Sequence, residues 1–247
     1  MSFVPKPMIK VCALVVLALF VRSARATVEA SSADTNNEIL EHYLSATQAQ
    51  QTHMLGMSMD VSIDASVPNL QKKGRLQALR NISRLGQITY RALNFVGDKT
   101  IKNDVIARYL TAETQATNGQ AAAMAINPRN YKFKYKGVID RAGYRLYLFE
   151  LTPRKKQVGL FKGHLWVDGT TYLPVRESGR MVRNPSIFLK KVEFVRDYEI
   201  RDGVAYPRRI KSMIFTRLVG PAELSIDFSN YREDDTSLAA ATPAETQ

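Results

Sequence analysis

The sequence predicts an α+β, mainly β fold: a strongly curved antiparallel sheet whose apolar concave face is plugged by two helices. Three observations carry this prediction. Between Tyr131 and Tyr231, run after run alternates apolar with polar residues, separated by Asp-Gly turn chemistry. Only two segments switch to helical spacing. The predicted strands number about ten with one apolar face each, which describes one bent sheet rather than two packed layers.

In chain order, the first segment is a targeting signal. Lys6 and Lys10 precede an apolar stretch from Val11 to Val21, and Ala24-Arg25-Ala26 forms a small-x-small cleavage site, so residues 1–26 are expected to be removed after export, with a retained N-terminal anchor as the competing reading. Residues 27–35 are polar and expected to be disordered. Ile39, Leu40, Tyr43, Leu44 and Thr47 recur at helical spacing and predict a helix over 36–53. From Leu55 the period becomes two: Met57, Met59, Val61 and Ile63 alternate with Ser58, Asp60, Ser62 and Asp64 until Pro68. Two more strands follow near 74–82 and 86–96. Val105, Ile106, Tyr109 and Leu110 predict a second helix over 103–115 with Asn103 as N-cap. The Ala-rich stretch 116–127 reads equally as a loop or a short third helix.

About seven strands then run to Tyr231. Tyr131, Phe133 and Tyr135 alternate with Lys132, Lys134 and Lys136; Phe188, Val192, Phe194, Tyr198 and Ile200 with Lys191, Glu193, Asp197 and Glu199; Leu224, Ile226 and Phe228 with Glu223, Ser225 and Asp227. Asp140 to Gly143, Asp168-Gly169 and Asp202-Gly203 signal turns. Pro153, Pro174, Pro185, Pro207 and Pro221 fall near predicted strand ends, where a missing donor does least harm. The folded domain is expected to span 36–231, and 232–247 to be a disordered tail.

Composition excludes several kinds of chemistry. The one cysteine, Cys12, lies in the signal, so the exported chain has no disulfide or thiol chemistry, in keeping with a bacterial periplasm. Removing the signal leaves 31 basic residues against 23 acids, a net charge of +8. That balance favours anionic headgroups over nucleic acid as partners outside the cytoplasm. His42 and His53 are too far apart along one helix to share a metal, and His164 stands alone beside Trp166. Without a nucleophile elbow, metal-ligand spacing or a phosphate loop, the chain reads as a binding protein, not an enzyme, with no cofactor.

One hairpin carries a resemblance. Gly163-His164-Leu165-Trp166-Val167-Asp168 leads through Gly169-Thr170-Thr171-Tyr172 into Leu173-Pro174-Val175-Arg176. This strand, Asp-led turn and Pro-containing return strand resemble the hairpin of the LolA-like family of periplasmic lipoprotein carriers and outer-membrane lipoprotein-sorting proteins, with its LolB, RseB and LppX-type relatives. The segment from Ala222 to Tyr231 resembles the family's closing strand. The resemblance implies an unclosed (half) β-barrel with helices as a lid over its apolar concave face, non-catalytic binding of the acyl chains of a lipoprotein or lipid in the hydrophobic cavity so enclosed, an inner- or outer-membrane receptor as partner, and a monomer. It also implies an arginine that holds the lid, for which Arg75, Arg80, Arg84 and Arg91 all qualify by position. An RseB-like protein-binding sensor is the alternative, and an enzyme of unrecognised type a third.

The residues expected to line the cavity are Met57, Met59, Val61, Ile88, Tyr90, Phe133, Tyr135, Leu165, Phe194, Ile214 and Ile226. Burying one methylene contributes about 0.8 kcal/mol, so a sixteen-carbon chain contributes on the order of 10 kcal/mol, enough for binding with no polar chemistry.

Overall fold

The computed structural model describes residues 36–141, 143–184, 189–217 and 220–233. The predicted signal, the polar stretch 27–35, and the predicted tail apart from Arg232 and Glu233 lie outside them, as do Pro185 and Phe188. The chain divides into two units, Met1–His42 and Tyr43–Gln247. The described part of the first is 36–42, the opening of helix α1 (36–53), where His42 Nε2 stands 3.8 Å from a Glu38 carboxylate oxygen one turn away.

The second unit holds the rest of α1 and all ten strands. These are β1 (Met57–Val67), β2 (Lys72–Ile82), β3 (Ile88–Gly97), β4 (Tyr131–Arg141), β5 (Tyr144–Pro153), β6 (Phe161–Asp168), β7 (Pro174–Met181), β8 (Leu189–Arg201), β9 (Val204–Thr216) and β10 (Pro221–Glu233). They form one antiparallel sheet in the order β3-β2-β1-β10-β9-β8-β7-β6-β5-β4. Every neighbour but one follows in sequence. The exception joins β1 to β10, tying the start of the strand array to its end. The edges β3 and β4 are not hydrogen-bonded to each other, so the sheet is unclosed, as predicted.

Alternation decides which side is buried. Along β1, the odd-numbered residues from Met57 to Val67 are all buried; of the even-numbered ones between them, only Ser58 is. Register partners share a face, so Val61 stands beside Ala78 and Phe228, and Ile63 beside Leu76 and Ile226. The sheet also bends. Strands β2 and β8 lie four steps apart, roughly 19 Å across a flat sheet, yet Tyr109 feels the charges of both Arg80 and Arg196.

Between β3 and β4 the chain crosses through a π-helical turn (Ile101–Ile106) into helix α2 (Ala107–Met124). This corrects the predicted 103–115 helix at both ends. It starts earlier because Asp98 Oδ1 accepts from the Thr100 backbone N–H at 2.7 Å and the Lys102 N–H bonds the Asp98 carbonyl, which removes any capping role for Asn103. It ends later because the Ala-rich stretch, undecided from sequence, continues the helix to Met124.

Turn chemistry follows the predictions. Asp202 and Gly203 both have positive φ (51° and 74°) and form the two-residue loop between the paired Arg201 and Val204. Asp168 Oδ1 accepts from the backbone N–H groups of Thr170 and Thr171 and from the Thr171 hydroxyl. Pro207 departs from its expected place at a strand end: it lies inside β9. There the β8–β9 ladder shifts register between Asp197 and Tyr198, a position where a missing donor is tolerated.

Strands β6 and β7 approach closely where Gly163 pairs with Gly179. A Cβ at Gly163 would stand 1.9 Å from the Ser178 carbonyl oxygen, whereas one at Gly203 meets nothing within 4 Å. Gly163→Ala is therefore expected to cost about 2 kcal/mol or more through forced strand separation, a fall in Tm of roughly 4–8 °C. Gly203→Ala is expected to cost only the left-handed backbone penalty of about 1 kcal/mol. Thermal unfolding followed by circular dichroism distinguishes the two; equal losses would contradict the close-approach argument.

Candidate binding face and its polar belt

All eleven residues expected to line a cavity point to the same side of the sheet. Register places Met57, Met59 and Val61 beside Ile82, Arg80 and Ala78, and those beside Ile88, Tyr90 and Ala92. Ile226 and Ile214 continue this side through β10 and β9. Phe194, Leu165, Phe133 and Tyr135 continue it through β8, β6 and β4.

The face has two halves. Met59, Val61, Ile88 and Ile226, with Tyr90 and Ile214 packed against them, belong to an aliphatic cluster that includes Ile101 and Ile106 of the π turn. Phe133 and Tyr135 instead join an aromatic group: Phe133 lies 6.0 Å from Phe149, edge to face, and 6.3 Å from Tyr43 of α1. Phe194 packs edge-on against Phe161 at 4.9 Å. Met59 and Leu165 are fully buried, whereas Tyr90, Phe133, Tyr135 and Ile214 keep partial exposure.

Between the halves runs a polar belt that sequence reasoning passed over. Of the four candidate arginines, only Arg80 faces inward. Arg75 is on the outer face with Asp64, Arg91 is exposed beside Leu79, and Arg84 lies in the β2–β3 turn. Arg80 is 8% exposed; its Nε donates to the Tyr90 hydroxyl at 3.0 Å and its Nη2 to Glu113 of α2 at 3.1 Å. The Tyr90 hydroxyl in turn donates to the other Glu113 oxygen at 2.5 Å. Burial pulls Arg80 toward losing its proton, but Glu113 and Tyr90 outweigh burial and hold the guanidinium charged.

The second part of the belt comes from β7 and β8. Arg196 Nη1 and the Tyr198 hydroxyl each donate to the Glu177 carboxylate, at 2.9 and 2.7 Å, and the Glu177 side chain is 5% exposed. Burial, then Glu177, pushes the Tyr198 hydroxyl well above its ordinary value. Burial likewise raises Tyr43, and after it the charge of Glu177, so α1 reaches this end of the belt. Tyr109 of α2, raised by burial and by Glu113, feels the charges of both Arg80 and Arg196. Parity was the available signal: Arg80 falls among the inward Leu76, Ala78 and Ile82, and Arg196 among Val192, Phe194, Tyr198 and Ile200.

Further along α1, Gln50 grips the backbone of Ala205, donating to its carbonyl and accepting from its N–H at 2.9 Å. His164 lies 5.7 Å from Trp166 on the outer face, away from the belt. No three metal-ligating side chains converge among the described residues.

The outer face carries two hollows. One, of about 490 Å³, forms where register shifts at Trp166/Val167 and at Asp197/Tyr198 fall in one row; Ile139, Leu146, Trp166, Arg176, Arg208 and Arg209 line it. The other, about 910 Å³, crosses β3, β2, β1, β10, β9 and β8 over the paired positions Gly74, Ala65, Leu224, Ser212 and Phe194. Outward side chains wall it, with Arg75, Asp64 and Lys211 on one side and Lys73, Glu223 and Glu193 on the other.

No family model and no curated protein matches the chain. Among solved structures it is similar to a LolA-superfamily protein of Nitrosomonas europaea, at 13% identity over 85% of this chain and 98% of that one, TM-score 0.40. It is similar also to an outer-membrane lipoprotein-sorting protein domain from Vibrio parahaemolyticus, at 12% identity over 78% and 92%, TM-score 0.37. A third is MucB, at 12% identity over 83% of this chain and 60% of MucB, TM-score 0.27.

The belt, and Tyr131 which feels its Glu177 and Arg196, make two measurable demands. Arg80→Met leaves Glu113 without its cation and is expected to cost about 3 kcal/mol in chemical unfolding, whereas Arg80→Met with Glu113→Met is expected to recover most of it; simple additivity of the two single losses would contradict the pairing. The second is pH dependence. Burial pushes the Tyr131 hydroxyl from 10.0 up to about 12, against the lowering effect of the Phe161 N–H it accepts. A raised folded value means that the native state keeps a proton the unfolded state has lost. Stability is thus intact below pH 10 and declines as pH rises from 10 toward 12, by about 1.4 kcal/mol per unit for this group. Urea titrations at successive alkaline pH are expected to show that decline, shallower in Tyr131→Phe.

Proposed function

We propose that this protein is a non-catalytic periplasmic carrier of acyl-bearing cargo, which its inner face holds beneath helices α1 and α2. The observation that carries the reading is an inward apolar face in two halves, with a helix tied over it by a buried polar cluster. Eleven inward positions on seven strands form the face, and α2 is held over it by Arg80, Tyr90 and Glu113. The flexible side chains of Met57 and Met59 can repack around a chain of variable length, and Tyr135 and Ile214 keep partial exposure on the same face. Nothing in this scheme needs a nucleophile, a metal or a cofactor. The family resemblance of the Trp166 hairpin leads to the same kind of cargo.

The test is organic extraction of the purified exported protein followed by mass spectrometry, together with uptake of a fluorescent fatty acid. Bound lipid near one per chain is expected, with probe uptake quickened about tenfold in Arg80→Met, the change that ~1.4 kcal/mol of weakened closure produces. Lipid-free protein that also ignores the probe would overturn the reading.

A second reading has its own observation. The 910 Å³ outer groove spans six strands with charges on both walls, dimensions suited to an extended segment of a partner protein, as in an RseB-like sensor. A stoichiometric envelope partner that binds lipid-free protein and is lost in Lys211→Glu would favour it over the carrier.

A further inference from the structure

The 490 Å³ hollow on the outer face is separate from the inner-face reading. We propose that this hollow and the β4–β5 hairpin end beside it dock the chain on an anionic lipid bilayer, with headgroup phosphate taken by Arg208.

Strict alternation would send Arg208 inward, since Arg209 pairs with Asp227 on the outer face and Ile210 is buried. The register shift at Asp197/Tyr198 cancels that rule, and Arg208 and Arg209 are both exposed. The neighbouring cations are committed: Arg176 holds Asp197 at 2.6 Å, and Arg209 holds Asp227. Arg208 has no hydrogen bond or ion pair among the described residues. A free guanidinium at the mouth of a hollow is a fork-shaped donor for an oxyanion.

The rest of the hollow is not that of a simple anion site. Ile139, Leu146 and Trp166 line it with apolar surface. Beside it, at the hairpin end, Ile139 is 38%, Val138 46% and Tyr144 71% exposed. Lys132 and Lys134 extend the basic surface along the outer side of edge strand β4. A soluble acidic peptide has no use for the apolar hairpin end, and a neutral bilayer has none for the unpaired cations. A surface that is anionic at the headgroups and apolar just beneath satisfies both, with the aromatic rings at the boundary.

Trp166 is the chain's only tryptophan, so its fluorescence reports on this hollow directly. The experiment mixes the full exported protein with vesicles of phosphatidylcholine alone, or of phosphatidylcholine with phosphatidylglycerol, and follows Trp166 emission and co-sedimentation at low and high salt. Binding and a blue shift are expected with the mixed vesicles only, weakening with salt. Arg208→Ala is expected to lower partitioning about fivefold, the loss of ~1 kcal/mol carried by one basic residue at such a surface. Tyr144→Ala is expected to lower it several-fold. Both side chains are exposed, and an unchanged thermal midpoint verifies that the variants fold. Absence of binding to mixed vesicles, equal binding to neutral ones, or no effect of Arg208→Ala would overturn the proposal. An identical Trp166 response to inorganic phosphate, or vesicle-free binding of poly-glutamate at this hollow, would overturn it in favour of a free anion or an acidic peptide.

Discussion

The guanidinium of Arg80, set among the apolar Leu76, Ala78 and Ile82 of β2, constrains the inner side of the sheet. A lone charge there would cost several kcal/mol, so the side chain dictates that an anion be brought to it. Glu113 of α2 supplies it, with Tyr90 completing the geometry. The position of the helix over the sheet is therefore set by an electrostatic requirement of a strand. Replacing a buried ion pair by apolar groups is commonly neutral or stabilising. On that balance the contact is better explained by where it holds α2, and by the ease with which a polar tie can be exchanged for water, than by the stability it adds.

The outer face obeys a different economy. Its charges are paired across neighbouring strands: Arg75 with Asp64, Arg176 with Asp197, Arg209 with Asp227, Arg232 with Asp60. Each such exposed pair is worth at most about 1 kcal/mol, so together they do little for stability. They matter for register. A one-residue slip of any strand would turn these charges inward and put residues such as Ile226 into water, and the error would be felt along ten strands at once. Where the ladders do shift, at Trp166/Val167 and Asp197/Tyr198, the shifts lie in one row and open a hollow instead of breaking the sheet.

Much of this was legible in the sequence. The alternation identified the buried side of β1, β4, β8 and β10 correctly, and the Asp-Gly pair gave the β8–β9 turn outright, because both features depend on neighbours in the chain. The continuation of α2 through 116–124 was not legible, since Ala, Gln, Thr and Asn there present no apolar stripe and a glycine interrupts them. The polar belt was half legible: parity flags Arg80, Glu177 and Arg196 as inward charges, but their partners come from helices and strands distant in sequence. Pro207 was misplaced at a strand end because a bulge is a property of two strands together. The same shift turns Arg208 outward, so the outer hollow could not have been read from the chain.

The open edge between β3 and β4 has a topological cause with a functional consequence. The only connection between these two strands is the crossover through the π turn and α2, and that helix is held against the inner face by Glu113. Zipping β3 onto β4 would close a barrel around the helix and fix its interior volume. The edges are instead protected against wrong pairing: β3 carries a bulge around Leu93 and β4 a row of lysines, both devices that blunt an exposed strand. An unclosed sheet can flex at its edges, so the interior is limited by how α1 and α2 sit and not by a fixed ring of strands. On the carrier reading proposed above, a container for acyl chains of differing length needs that freedom, and an unclosed sheet with blunted edges is compatible with it.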